Sequence, residues 1–163
     1  MTQPDRLPFL DRALSLNLAW IAAADSKVGP LLGIATGMLG VLAAMVPRAS
    51  GWLTISAVTA AIASGLLIVS LGCLVAAVFP RLSGPKGSLL FFGGIASLGH
   101  DEYLARAKSV SDADVIEDFA AQVHRNARIA NTKFACVKWA FILLVVAIPF
   151  WLGAVALLYR TKG

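Results

Sequence analysis

Three uncharged stretches restrict this chain more than any other feature. They are 28–46, 52–79 and 139–159, with 19, 28 and 21 residues respectively. At a helical rise of about 1.5 Å per residue, even the shortest reaches about 28 Å, close to the ~30 Å hydrocarbon thickness of a bilayer. Composition agrees. Charged residues make up 14% and hydrophobic ones 58% of the 163 residues, whereas a soluble domain carries roughly 25% charge. The missing polar surface implies that lipid covers much of the molecule.

Between the stretches the chain reads as helix and short loops. In segment 1–27 a helix is expected from Phe9, with Leu10, Leu14, Leu18 and Ile21 on one face. Gly29-Pro30 marks a kink or restart, because proline cannot donate to the preceding turn. Pro47, Arg48, Ser50 and Gly51 predict a short turn, which makes 28–79 an antiparallel hairpin. The breaker-rich 80–88 (PRLSGPKGS) is a loop. The apolar 89–95 is too short to span, and its pattern leaves a strand, a buried turn or an interfacial segment open. A short helix is expected over 100–110. Ser111-x-x-Asp114 then has the form of a capping box, and no breaker follows until Pro149, where a kink is expected. The fold class is therefore an all-α membrane protein: an amphipathic helix in 1–27, a transmembrane hairpin in 28–79, a helical cytosolic region in 80–138 continuous with the third transmembrane helix, 139–159, and a tail, 160–163. The 27-residue leader, with Asp5, Asp11 and Asp25, does not fit a cleaved signal peptide.

Three crossings put segment 1–27 and region 80–138 on one side. Eleven of the 14 Lys and Arg fall there, against Arg48, Arg160 and Lys162 on the other, and all nine acids join the eleven. The positive-inside bias makes that side cytoplasmic, with the lipid bilayer as first partner. Trp52, Trp139 and Tyr159 fall near span ends, where amphipathic rings settle. The net charge of +5 is explained by this bias, and no basic run interleaved with aromatics points to a nucleic acid polymer.

Catalytic chemistry has little to build on. G-x-S-x-G, a P-loop, H-E-x-x-H and G-x-G-x-x-G are absent, and the only histidines are His100 and His124. Cys73 and Cys136 sit in apolar surroundings without CxxC spacing. No metal, cofactor or enzymatic activity is expected.

Three features stand out as functional candidates. Gly29, Gly33 and Gly37 form a ladder that lets helix backbones approach closely. The first reading is packing against the second stretch, where Ala57, Ala61 and Gly65 share the spacing, and the second is self-association. Asp25 and Lys27 are embedded among apolar residues and cannot pair with each other, being two apart on a helix. Either Asp25 meets a basic residue of the 112–138 helix while Lys27 reaches headgroups, or the two mark a ligand site. That long helix carries two adjacent stripes. Ile116, Ala120, Val123, Ala127, Ala130, Phe134 and Val137 form an apolar seam expected to be the packed one. Beside it run Val115, Phe119, Gln122, Asn126, Ile129 and Lys133, near Arg125 and Arg128.

Several of these residues carry a resemblance. Asn17, Trp20 and Ala24-Asp25-Ser26-Lys27 precede the first span, and Phe91-Phe92-Gly93 and His100-Asp101-Glu102-Tyr103-Leu104 lie in the middle region. Asp118, Gln122, Ala130 and Lys133-Phe134 follow on the last helix. In this order they resemble the membrane effectors of the bacterial Pycsar antiphage system, with Phe134 where tyrosine is commoner. The resemblance implies a receptor for a cyclic pyrimidine mononucleotide, cUMP or cCMP, that impairs the inner membrane and causes abortive infection, acting as a homo-oligomer. For such a ligand Arg125, Arg128 and Lys133 could hold the phosphate, Phe91, Phe92 or Tyr103 could stack on the base, and Asp118, Gln122 or Asn126 could read its edge. Asp25 and Lys27 complete the expected ligand-binding set. The alternative is a structural membrane adaptor whose cytosolic helices bind a protein partner.

Overall fold

A computed structural model describes residues 3–46, 54–82, 84–85 and 87–162, with backbone alone for 3–5 and 161–162. The turn expected at 47–51, Trp52 and Lys86 lie outside the described residues. The chain is helical throughout: α1 (Gln3–Ala44), α2 (Thr54–Val78), α3 (Phe92–Ala96), α4 (His100–Ser109) and α5 (Asp112–Lys162), with no strand among the described residues. α1, α2 and α5 are long and apolar enough to cross a membrane.

The chain divides into two compact units, one of residues 24–79 with 133–163, the other of residues 1–23 with 80–132. In the first, α1, α2 and α5 pack in three tiers. One tier joins Val28, Leu74, Ala77, Val137 and Ala140, the next joins Ala35, Leu67, Leu144 and Ala147, and the last joins Leu42, Ala60, Ala63 and Ala154. Numbers rise along α1 and α5 while they fall along α2, so α2 is antiparallel to both. The hairpin expected of the first two stretches is present.

Why these residues face inward follows from spacing. On α2 the buried residues are Ser56, Ala60, Ala63, Leu67, Ser70, Leu74 and Ala77, alternately four and three apart. On α5 Lys133, Val137, Ala140, Leu144 and Ala147 repeat that interval. A 3.5-residue period is the signature of helices that coil around one another. Most seam residues are alanine or serine, so backbones approach closely, as helices do where lipid removes the hydrophobic drive between them. Large side chains point outward instead: Ile55, Ile68, Val75, Phe141 and Leu152 are all more than half exposed. Hydrogen bonds also tie the helices across the seam. Ser70 Oγ donates to the Ala140 carbonyl at 2.8 Å, and Trp151 Nε1 donates to the Met38 carbonyl at 2.9 Å.

Four expectations need correction. α1 runs unbroken through Gly29-Pro30, so the amphipathic segment and the first span are one 42-residue helix. Leu18 is exposed, and the half-buried positions along that segment are Leu7, Leu10, Ala13, Leu14, Asn17 and Ile21, of which all but Ala13 follow the 3.5 period of the inward face. Gly29, Gly33 and Gly37 are exposed, with nothing within 4 Å of the place a Cβ would occupy. They do not pack against α2, since Val28, Ala35 and Leu42 turn a different face of α1 toward it. Finally, over residues 115–133 the more deeply packed stripe of α5 is the polar-bearing one, and the apolar seam is buried only at its far end, at Ala130 and Val137. Gln122 and Lys133 are buried at 6% and 8% exposure, while Ala120 and Ala127 of the small-residue seam are exposed.

α5 opens as its sequence indicates. Ser111 Oγ accepts from the Asp114 N–H and donates to Asp114 Oδ2, and the Ser111 N–H donates to that same oxygen. The Ser111 hydroxyl first, then its N–H, holds the Asp114 carboxyl below its ordinary value. Ionised Asp114 thus favours the capped helix at neutral pH, an effect lost as acid carries the pH down through that lowered value. α5 continues without interruption through Pro149.

If close approach at the seam sets stability, Ala63→Leu should overpack it and cost about 1–3 kcal/mol. The outward Ile68→Leu should be neutral within about 0.5 kcal/mol. Thermal unfolding of both variants in the same detergent measures the difference.

Candidate functional site

In the unit of residues 1–23 and 80–132, the segment before α3 is held to α5 by one serine and two side chains a helical turn apart. Ser88 Oγ accepts the N–H groups of Leu90 (3.1 Å) and Phe91 (2.8 Å), which coils residues 88–91 about the hydroxyl. Gln122 Nε2 donates to that Oγ at 3.0 Å. Asp118 Oδ2 accepts from the N–H groups of Leu89 (2.8 Å) and Leu90 (3.2 Å). Glycine is needed twice in this turn. Gly87 has φ of 73°, a left-handed conformation that side-chain-bearing residues rarely adopt, and a Cβ on Gly94 would strike the Ser88 carbonyl oxygen. The Phe91 ring fills the space beside Gly84 and Gly93. The segment 89–95, open to three readings in the sequence, is thus a clasped turn leading into α3.

Against this clasp lies a cavity of about 460 Å³, walled by Ser88, Leu89, Tyr103, Val115 and three acids, Asp114, Glu117 and Asp118. Its volume is in the range of about 300–1,000 Å³ usual for small-molecule sites. No described cationic side chain lines it. Asp118 Oδ1 is buried and has no hydrogen-bond partner among the described residues. A buried carboxylate oxygen in that condition is an acceptor awaiting a donor.

The ten expected ligand residues divide between the two units. Phe92, Tyr103, Asp118, Gln122, Arg125, Asn126 and Arg128 belong to this one, and of these Tyr103 and Asp118 line the cavity. Gln122 is committed to Ser88, and Asn126 Nδ2 donates back to the Gln122 carbonyl at 2.9 Å. These two amides therefore serve the fold first. Phe92 is 62% exposed and stands beside Phe91, ring centroids 4.6 Å apart, outside the cavity wall. Arg128 is exposed and Arg125 half-buried, neither on that wall.

Asp25, Lys27 and Lys133 belong to the other unit. Lys133 Nζ donates to Asp25 Oδ1 at 2.5 Å, the lysine side chain 10% and the aspartate 44% exposed. The partner that Asp25 requires is thus a basic residue of α5. Lys27 lies over the Phe134 ring, 5.5 Å from its centroid.

Compared with known proteins, residues 9–160 match the model of the Pycsar effector protein domain. The chain belongs to the Pycsar effector family. No curated protein and no solved structure matches it. The match spans all three long helices, so this Pycsar effector is a membrane protein with three transmembrane helices. Its family is one of antiphage membrane effectors and not a known enzyme family.

Sequence reasoning missed Ser88, Asp114 and Glu117 as parts of the site. Glu117 and Asp118 on the helix and S-G-P-K-G-S before it were visible signals, but only the fold pairs Ser88 with Gln122.

Two outcomes follow for the Pycsar effector. Ser88→Ala strips the acceptor from a buried amide, so it should cost about 1–3 kcal/mol. Because one network is involved, Ser88→Ala with Gln122→Leu should cost less than the two changes summed. Hydrogen exchange at Leu90 and Phe91 should rise in all three variants. Likewise Asp25→Ala should destabilise more than Asp25→Ala with Lys133→Met, since the single change strands a buried ammonium. Thermal unfolding of the two in detergent decides it.

Proposed function

We propose that this chain is a bacterial antiphage effector that takes up cUMP or cCMP and responds by impairing the inner membrane, ending in abortive infection. The observation that carries the ligand reading is the cavity in which Tyr103 stands with the unpartnered Asp118 Oδ1. Tyr103 offers a face for a pyrimidine ring, and stacking of this kind contributes about 1–3 kcal/mol. Asp118 Oδ1 would accept from a base N–H, and Asp114 or Glu117 from a ribose hydroxyl or an exocyclic amine.

Those same carboxylates repel a phosphate, so the phosphate would point out of the cavity. Cations for it are Arg125 and Arg128, from the same protomer or a neighbouring one. The inner-membrane placement, with 80–138 in the cytoplasm, rests on eleven basic residues against three. The uncharged spans encode no polar path through a single protomer. Damage is therefore assigned to rearranged oligomers, for which the open face of Gly29, Gly33 and Gly37 allows close contact between helices.

Titration of detergent-purified protein with cUMP, cCMP and cAMP should show binding of a pyrimidine nucleotide, weakened about tenfold or more by Tyr103→Ala. Cells expressing the protein should depolarise when that nucleotide is supplied. Absence of nucleotide binding together with a stably co-purifying protein would favour the adaptor reading instead.

A further inference from the structure

A second cavity belongs to the membrane-spanning unit. It lies between α1 and α5, has a volume of about 550 Å³, and is lined by Lys27 and Lys138 with Pro30, Leu31, Val137 and Phe141. We propose that it is a site for one anionic phospholipid, whose phosphate sits between the two lysines and whose acyl chain lies along the apolar wall.

Depth is the first argument. Lys27 directly precedes the uncharged stretch 28–46 and Lys138 the uncharged stretch 139–159. α1 and α5 run parallel, with Val28 and Val137 in one tier. Both ammonium groups therefore stand at one boundary of the hydrocarbon layer, where phosphates of lipid headgroups are found.

Charge is the second. In the stretches 24–79 and 133–163 the sole acid is Asp25, and Lys133 occupies it. Lys27 and Lys138 are both exposed, and with Asp25 taken by Lys133 no other acid of this unit answers them, so within the unit the groove carries two positive charges. Lys27 is drawn to the groove by the Phe134 ring beneath it.

Shape is the third. One end of the groove is cationic and the remainder is hydrocarbon-like, the pattern of an amphiphile with an anionic head. A water-soluble anion would leave Pro30, Leu31 and Phe141 uncovered. A neutral hydrophobe would leave both lysines unanswered. A zwitterionic phospholipid brings an ammonium of its own against them. Basic pockets between transmembrane helices hold anionic headgroups for these reasons.

The test reconstitutes the full chain in nanodiscs of phosphatidylcholine with or without phosphatidylglycerol, and counts lipids retained by native mass spectrometry on release. The expected result is one phosphatidylglycerol retained in excess of phosphatidylcholine, with a raised unfolding temperature. Lys27→Gln with Lys138→Gln should lower that retention about tenfold, while Lys108→Gln on α4 leaves it unchanged. Phe141→Ser should weaken retention with both lysines intact, and glycerol phosphate should not compete. Equal retention of the two lipids, retention unaffected by the lysine pair, or full competition by glycerol phosphate would overturn the proposal. No nucleotide enters the measurement, so its outcome is independent of the sensing reading.

Discussion

Inside a bilayer, apolar side chains gain little by leaving lipid for protein, and every other feature of the spanning unit follows from that. What remains to hold helices together is close contact, hydrogen bonding and charge. The seam answers with size. Ala35, Ala63, Ala77, Ala140, Ala147 and Ala154 are all fully buried, while isoleucine, valine and phenylalanine occupy the lipid face. This is the reverse of the soluble pattern, in which bulky residues fill the core. The Ser70 and Trp151 bonds add direction to contacts that alanine alone would leave free to slide, because each fixes a particular turn of one helix against a particular carbonyl of another.

The Asp25–Lys133 pair extends the same logic to the edge of the hydrocarbon. A lone aspartate or lysine at that depth is costly. Together they are tolerable because Asp25 keeps part of its surface open while covering the ammonium of a nearly buried lysine. Their pairing also sets the electrostatics around them. With the unit's sole acid consumed, Lys27 and Lys138 are left as net charge at the boundary, so the groove between α1 and α5 is cationic as a consequence of how the seam is closed.

Much of this was legible in the chain itself, and the reasons differ by feature. Span number and the hairpin came from long uncharged runs, which admit few alternatives. The start of α5 came from Ser111 and Asp114, a local signal that needs no tertiary context. The choice of the inward stripe on α5 did not follow from sequence, because small apolar residues at Ala120 and Ala127 look more suited to packing than Gln122 and Lys133 do. The polar stripe wins because its two buried polar residues each have a specific partner, Ser88 for the Gln122 amide and Asp25 for the Lys133 ammonium. Both partners lie far away along the chain, and periodicity within one helix cannot reveal them. Gly29-Pro30 misleads for a related reason. Its local helix-breaking tendency is overridden by packing of Val28 and Leu31 on the spanning core.

Asp118 is where folding and sensing would meet. One of its oxygens is spent on the backbone of Leu89 and Leu90, and the other has no hydrogen-bond partner among the described residues. A ligand that donates to the second oxygen therefore acts on the same carboxylate that secures the clasp. Its binding energy can favour one arrangement of residues 88–91 over another only to the extent that the two arrangements hold Asp118 differently. Ser88 joins the Leu90 and Phe91 amides and Gln122 at one hydroxyl, so any arrangement that moves it disturbs all three bonds. Gly87 supplies a turn that a residue with a side chain would resist, and Gly94 gives the close approach that admits the Ser88 carbonyl. A sensor assembled in this way needs no separate nucleotide-binding domain, since one carboxylate on a long helix can both define the loop and report what lies against it.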